Sequence, residues 1–208
     1  MKQTTHFRES YQRILATAGF VVVLATTACG VPAAGAVQTS PTPGPVTVDS
    51  VAAAFGNSTM DNGHFTMHGT FIRNRVYYPV TGDGVLQMRP QEALQMNLSI
   101  QTFSSQGILK IQEIAIGTLL YVRIGKGKWS HRRESASPTA PSTYLGEQII
   151  SGVAYWHTRS TSGSSSFELW IRETDGYPFQ LQYASTSGTL IMNFNSYNKS
   201  PLIVAPKA

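Results

Sequence analysis

An apolar face that returns strand after strand is the strongest constraint in this sequence. Over residues 93–100 the chain reads Ala-Leu-Gln-Met-Asn-Leu-Ser-Ile. Leu94, Met96, Leu98 and Ile100 fall on one side and small or polar residues on the other, the period of two that marks a half-buried strand. Residues 104–107 turn the chain, and residues 108–116 begin another strand. There the apolar parity slips, with Leu109 and Ile111 odd and Ile114 and Ile116 even. A β-bulge near Gln112-Glu113 would restore both pairs to one side. Gly117-Thr118 is the next turn, and Leu120, Val122 and Ile124 line one face of the strand that follows, closed by Gly125-Lys126-Gly127. Upstream, Phe65, Met67 and Phe71 alternate with His64, Thr66, His68 and Thr70. The pattern predicts a meander of antiparallel strands with one apolar face.

What precedes this region reads as targeting. Residues 1–28 hold a basic start (Lys2, Arg8, Arg13) and an apolar stretch long enough for a signal peptide but short for a spanning helix. The stretch ends Leu24-Ala25-Thr26-Thr27-Ala28-Cys29-Gly30, similar to a bacterial lipoprotein cleavage box, with Thr26 where that box prefers leucine. Cys29, the one cysteine in the chain, has no disulfide partner within it, so lipid attachment is the expected role. Residues 29–46 carry no charge and are rich in Ala, Pro, Thr and Gly, a flexible tether whose span as a coil is on the order of 20–25 Å. The folded domain is expected over residues 47–208, exported and lipid-anchored on the extracytoplasmic side of the cell membrane. Without the leader, thirteen Lys/Arg stand against ten Asp/Glu, so the net charge of +5 for the whole chain falls to +3.

Within the domain, Asp49 or Ser50 is placed to cap a short helix over residues 51–55. Asp61-Asn62-Gly63 is a turn signal, and Arg73-Asn74-Arg75 reverses the chain. Pro79 argues for an edge or irregular strand, and Gly82-Asp83-Gly84 for a turn. Residues 130–143 read as a long loop, and residues 144–151 fit a helical turn or a strand equally. Strands are expected over 153–159 and 167–172, joined by a loop at 161–166. Two more follow, carrying Phe179, Leu181 and Tyr183, then Leu190, Met192 and Phe194.

Catalytic and metal signals are weak. On a strand, His64 and His68 share a face but stand roughly 13 Å apart, too far for one ion. Gly125-Lys126-Gly127-Lys128 lacks phosphate-loop spacing and context. Ser196-Tyr197-Asn198-Lys199 matches a Ser-x-x-Lys string, yet no Ser-Asp-Asn or Lys-Thr-Gly accompanies it. The chain is not expected to be an enzyme, and no cofactor or metal is implied. Arg123, Lys126, Lys128, Arg132 and Arg133 crowd a hairpin tip with Tyr121 and Trp129. For an exported protein the fitting partner of such a tip is an anionic headgroup rather than nucleic acid, against a solvated turn of equal standing. Nothing in the sequence speaks to oligomeric state.

Several stretches taken together resemble a known family. They are the lipobox and tether, His64-Phe65-Thr66-Met67-His68-Gly69, the hairpin with Tyr121-Val122-Arg123 and Lys128-Trp129, and Gly146-Glu147-Gln148-Ile149-Ile150-Ser151-Gly152-Val153. Glu168-Leu169-Trp170-Ile171-Arg172, Asn195-Ser196-Tyr197 and Ile203-Val204-Ala205-Pro206 complete the set. The order is similar to the LppX/LprG type of cell-envelope lipoprotein, within the LolA-like carrier superfamily. That resemblance implies an α+β fold, a strongly curved antiparallel half-barrel with one or two short helices on its concave side around a cavity for acyl chains. The residues available to line it are Phe65, Met67, Phe71, Leu94, Met96, Leu98, Ile100, Leu120, Val122 and Ile124. The helical lid is thin here, with only residues 49–57 and 144–150 to supply it. Two functions stay open: a carrier of lipid-like molecules, or a structural or sensory envelope lipoprotein whose apolar face is a packed core.

Overall fold

Eleven strands and one helix account for the regular structure in the computed structural model, which describes residues 45–102, 107–134 and 141–207. Helix α1 (Val48–Gly56) is capped by Thr47, whose hydroxyl accepts from the Ser50 amide at 3.2 Å while the Ser50 hydroxyl accepts from the Thr47 amide at 2.8 Å. Thr47, not Asp49 or Ser50, is therefore the cap. Ser50 completes the reciprocal pair from the third helical position, and Asp49 faces the positive end of the helix dipole. Val51 and Phe55, one turn apart, bury against Met60 and Ile171.

The strands are β1 (Asn62–Arg73), β2 (Val76–Gln87), β3 (Ala93–Gln101), β4 (Ile108–Ile116), β5 (Leu119–Ile124), β6 (Ser130–Arg133), β7 (Ser142–Ile150), β8 (Val153–Ser162), β9 (Ser165–Arg172), β10 (Pro178–Ser185) and β11 (Gly188–Tyr197). All pair antiparallel in one open sheet, ordered β6-β5-β4-β3-β2-β1-β11-β10-β9-β8-β7. Two meanders run outward from the central β1–β11 pair, so β6 and β7, consecutive in sequence, lie at opposite edges.

Further expectations are corrected. Gly82-Asp83-Gly84 is not a turn, because β2 runs straight through it between β1 and β3. The glycines are there for close approach: a Cβ on Gly82 would meet the Asn97 carbonyl, and one on Gly84 the Phe65 ring. Pro79 lies inside this interior strand, yet β3 pairs with β2 only from Val80 onward, so the missing N–H leaves no gap in that ladder. β4 contains no bulge: its register with β3 runs unbroken from Ala93↔Ile116 to Gln101↔Ile108. Residues 130–133 form edge strand β6, and 144–150 belong to edge strand β7, so α1 is the one helix among the described residues. A second lid helix does not form there.

The core lies on one face. Phe65, Met67, Val80, Met96, Leu98, Ile100, Ile111, Leu181, Met192 and Phe194 are buried together, with α1 packed on the same face near Leu86, Leu169 and Tyr197. Burying each such large side chain contributes roughly 1.5–3 kcal/mol. On the opposite face Ile203 packs on Ala93 and Ile114, and its amide donates to Gln87 Oε1 at 2.8 Å, tying the C-terminal segment across the start of β3.

Candidate functional site

Directly opposed residues of an antiparallel pair share a face, and the registers place all ten expected lining residues on one side. Phe65 faces Gly84, Gly84 faces Met96, and Leu94, Leu98 and Ile100 follow on the same parity. Leu120, Val122 and Ile124 join through Ala115, Glu113 and Ile111. Burial divides the ten. Phe65, Met67, Met96, Leu98 and Ile100 are buried, whereas Phe71, Leu94, Leu120, Val122 and Ile124 are half-buried. The first five lie in the packed core, and the second five keep part of their surface exposed, with Phe71, Leu94 and Val122 packed against that core. The face also gathers Ile111, Leu181, Met192 and Phe194, not among the expected ten. The Leu181 and Met192 alternations were legible, but nothing local says that β10 and β11 share a face with β1.

Glu113 is the residue that sequence reasoning missed. Without a bulge, Ile114 and Ile116 turn to the opposite face, near Ile203, and Glu113 turns onto the apolar one between Met96 and Val122. It is 5 % exposed, and its Oε1 has no hydrogen-bond partner among the described residues. Burial pushes its carboxyl up to about 7, with Arg132 pulling it down and Glu134 adding to the rise. A buried polar atom left unpaired costs about 1–3 kcal/mol.

The five expected headgroup cations take different positions. Lys126 and Lys128 are exposed beyond the end of β5. Arg123 donates to Gln112 Oε1 from Nε at 2.7 Å and lies over the Trp129 ring at 4.7 Å. Arg132 stands opposite Leu120, on the apolar face, with Nε 2.6 Å from Glu134 Oε1, and Arg133 stands opposite Leu119 on the other face. Because β1, β3 and β5 run in one direction, their following turns lie at one end of the sheet. Lys126 and Lys128 therefore share that end with Arg75 and with exposed Tyr77 and Ile108. No Asp or Glu occurs in the described residues of these turns. Cys29 lies outside the described residues.

Beside the Ile203 cluster, the opposite face carries a hydrogen-bonded polar row. Asp83, Asn97, Gln112 and Arg123 occupy one row across β2 to β5. Asn97 Nδ2 donates to Asp83 at 3.2 Å and Gln112 Nε2 to Asn97 at 3.0 Å. Beyond β1 and β11, His157 stacks on Trp170 at 4.1 Å and meets Glu168 Oε2 at 2.7 Å. Burial works to raise Glu168, but hydrogen bonds from Arg159 and His157 outweigh it and hold that carboxyl below its usual value. His64 Nδ1 meets Asn195 Oδ1 at 2.9 Å. No group of His, Cys, Asp and Glu among the described residues is arranged to hold a metal ion.

No protein-family model matches this sequence, and no curated protein does. Solved structures similar to it include the lipoprotein LppX of Mycobacterium tuberculosis, with 12 % identity, a TM-score of 0.44, and 76 % of this chain and 100 % of that one covered. LprF from Mycobacterium bovis is similar at 11 % identity and a TM-score of 0.42, covering 77 % of this chain and 94 % of LprF. A putative outer membrane lipoprotein-sorting protein domain from Vibrio parahaemolyticus follows at 7 % identity and a TM-score of 0.36, over 68 % of this chain and 87 % of that domain. LppX is one of the two proteins after which the resemblance in the sequence is named.

Proposed function

We propose that this protein is an envelope lipoprotein that binds or carries lipid-like molecules on the apolar face of its sheet, with that face concave. The carrying observation is that this face keeps Phe71, Leu94, Leu120, Val122 and Ile124 half-buried while, among the described residues, one nine-residue helix covers the part near Leu86 and Ile171. Chain length supports the concavity. From Arg133 in β6 to Ser142 in β7 there are nine residue steps, which reach at most roughly 30 Å. A flat sheet would hold those two edge strands roughly 48 Å apart. Curling the edges toward each other removes the conflict, and curling toward the side that carries α1 and the core turns the apolar residues inward.

In this reading residues 1–28 are the signal peptide, 29–46 the lipidated Cys29 and its tether, and 47–208 the binding domain. Cys29 holds the protein on the extracytoplasmic side of the membrane. Lys126 and Lys128, with Arg75 at the same end, contact anionic headgroups, each basic residue contributing about 1 kcal/mol. Native mass spectrometry of the protein purified from its own envelope tests the reading: a co-purifying acyl-bearing lipid is the expected result. A bare chain that also takes up no added lipid would favour the packed-core alternative, for which the buried Phe65, Met67 and Ile100 speak.

A further inference from the structure

We infer that Glu113 is the polar contact for the bound molecule, accepting a hydrogen bond from a hydroxyl of an uncharged acyl-bearing ligand such as a mono- or diacylglycerol. The inference rests on the lipid-binding reading of this face and names its ligand class. Glu113 projects from β4 between Met96 and Val122 on the side that holds the half-buried apolar surface. Its Oε1 is buried and unpartnered among the described residues. Buried polar atoms are almost always satisfied, so one left open among apolar walls marks where a ligand supplies the partner. The charged groups that face it are Arg132 from β6 and Glu134 just beyond. Arg132 engages Glu134 through Nε and buries its Nη2 on the same face, while the side chains flanking Glu113 on β3, β4 and β5 are apolar.

With the Arg132 charge engaged by Glu134, a carboxyl among apolar walls is matched by a hydroxyl, which brings no charge of its own. Phosphate or a fatty-acid carboxylate would be repelled by Glu113 whenever that carboxyl is ionised. A hydroxyl suits Glu113 in either state, since a carboxyl keeps acceptor capacity when protonated. Burial, which pushes the carboxyl up to about 7, lets both states occur near neutrality.

The test uses the full-length protein in phosphatidylcholine nanodiscs and two photoreactive probes with the same diazirine-bearing acyl chain. One is a 1-monoacylglycerol and the other the methyl ester, which has no hydroxyl to donate. The wild type should label with the monoacylglycerol about tenfold more strongly, the contribution of one hydrogen bond. Glu113→Leu should bring the two probes to parity while methyl-ester labelling persists, which also shows that the variant folds. Glu113→Met, an unbranched side chain of similar length, gives the same comparison should leucine fail to fold. Equal labelling of the wild type by both probes, or a preference that survives in the variants, overturns the role of Glu113 and leaves chain binding standing. A wild type that labels with neither probe overturns the lipid-binding reading itself, and this inference with it.

Discussion

Phe65 closes over Gly84 across the β1–β2 pair. The two are direct partners, and a Cβ built on Gly84 would lie 2.8 Å from Cε2 of Phe65, nearer still to Cζ and to the Gln95 carbonyl oxygen. The ring, fully buried, occupies the space that a side chain at position 84 would need. A glycine that reads as a turn residue is thus a packing residue in the middle of the sheet.

Gly84→Ala should therefore destabilise the protein by about 1–3 kcal/mol, the usual cost of overfilling a core. The melting temperature should fall by several degrees, measurable by circular dichroism. An unchanged melting temperature would mean that β2 and Phe65 move apart at no cost.

Glu113 should make stability depend on pH in a direction opposite to that of ion-paired carboxylates. Its folded-state value of about 7 lies above its ordinary value of 4.5, so between the two the folded chain holds a proton that the unfolded chain releases. Stability is then greatest at low pH, falls as pH rises from about 4.5 to about 7, and is level above that as far as this group is concerned. Glu113→Gln removes the effect. In urea titrations the variant should match the wild type near pH 4.5 and exceed it by about 3 kcal/mol at pH 8. A difference independent of pH would place the carboxyl's titration elsewhere.

The division of the apolar face into buried and half-buried residues should separate two tryptophan substitutions. Leu98→Trp, at a buried position, should cost roughly 1–3 kcal/mol and lower the melting temperature by several degrees. Leu120→Trp, at a half-buried one, should leave the melting temperature nearly unchanged while reducing uptake of an acyl-chain probe. Equal destabilisation by both would make the face packed core throughout.

Hydrogen exchange should locate the membrane-facing end. In full-length protein on nanodiscs containing phosphatidylglycerol, amides of residues 124–129 should exchange more slowly than on phosphatidylcholine alone. Replacing Arg75, Lys126 and Lys128 with glutamine should remove the difference, as should high salt, which screens it. Protection that persists in the variant would assign it to something other than these cations.

By itself the sequence determined most of the strands and the parity of the apolar residues in β1, β3 and β5, because alternation is a local property of the chain. The polar edge strand β6 and the unbroken course of β2 carry no such local signal. The ten expected lining residues fall on one side because of that alternation. Tertiary structure alone decided how the parity slip in β4 is resolved. Isolated, Ile111, Glu113 and Ile114 are compatible with a bulge that keeps the apolar face whole. In the sheet, unbroken pairing with β3 is kept instead, Ile114 finds Ile203 from the far end of the chain, and Glu113 is left on the apolar side. The same holds for Gly84, whose partner is a ring on another strand, and for the β1–β11 pair, whose residues Phe65 and Phe194 meet across the whole length of the domain. Such contacts join distant segments, and their energy comes from burial shared between them, so no window of neighbouring residues carries the signal.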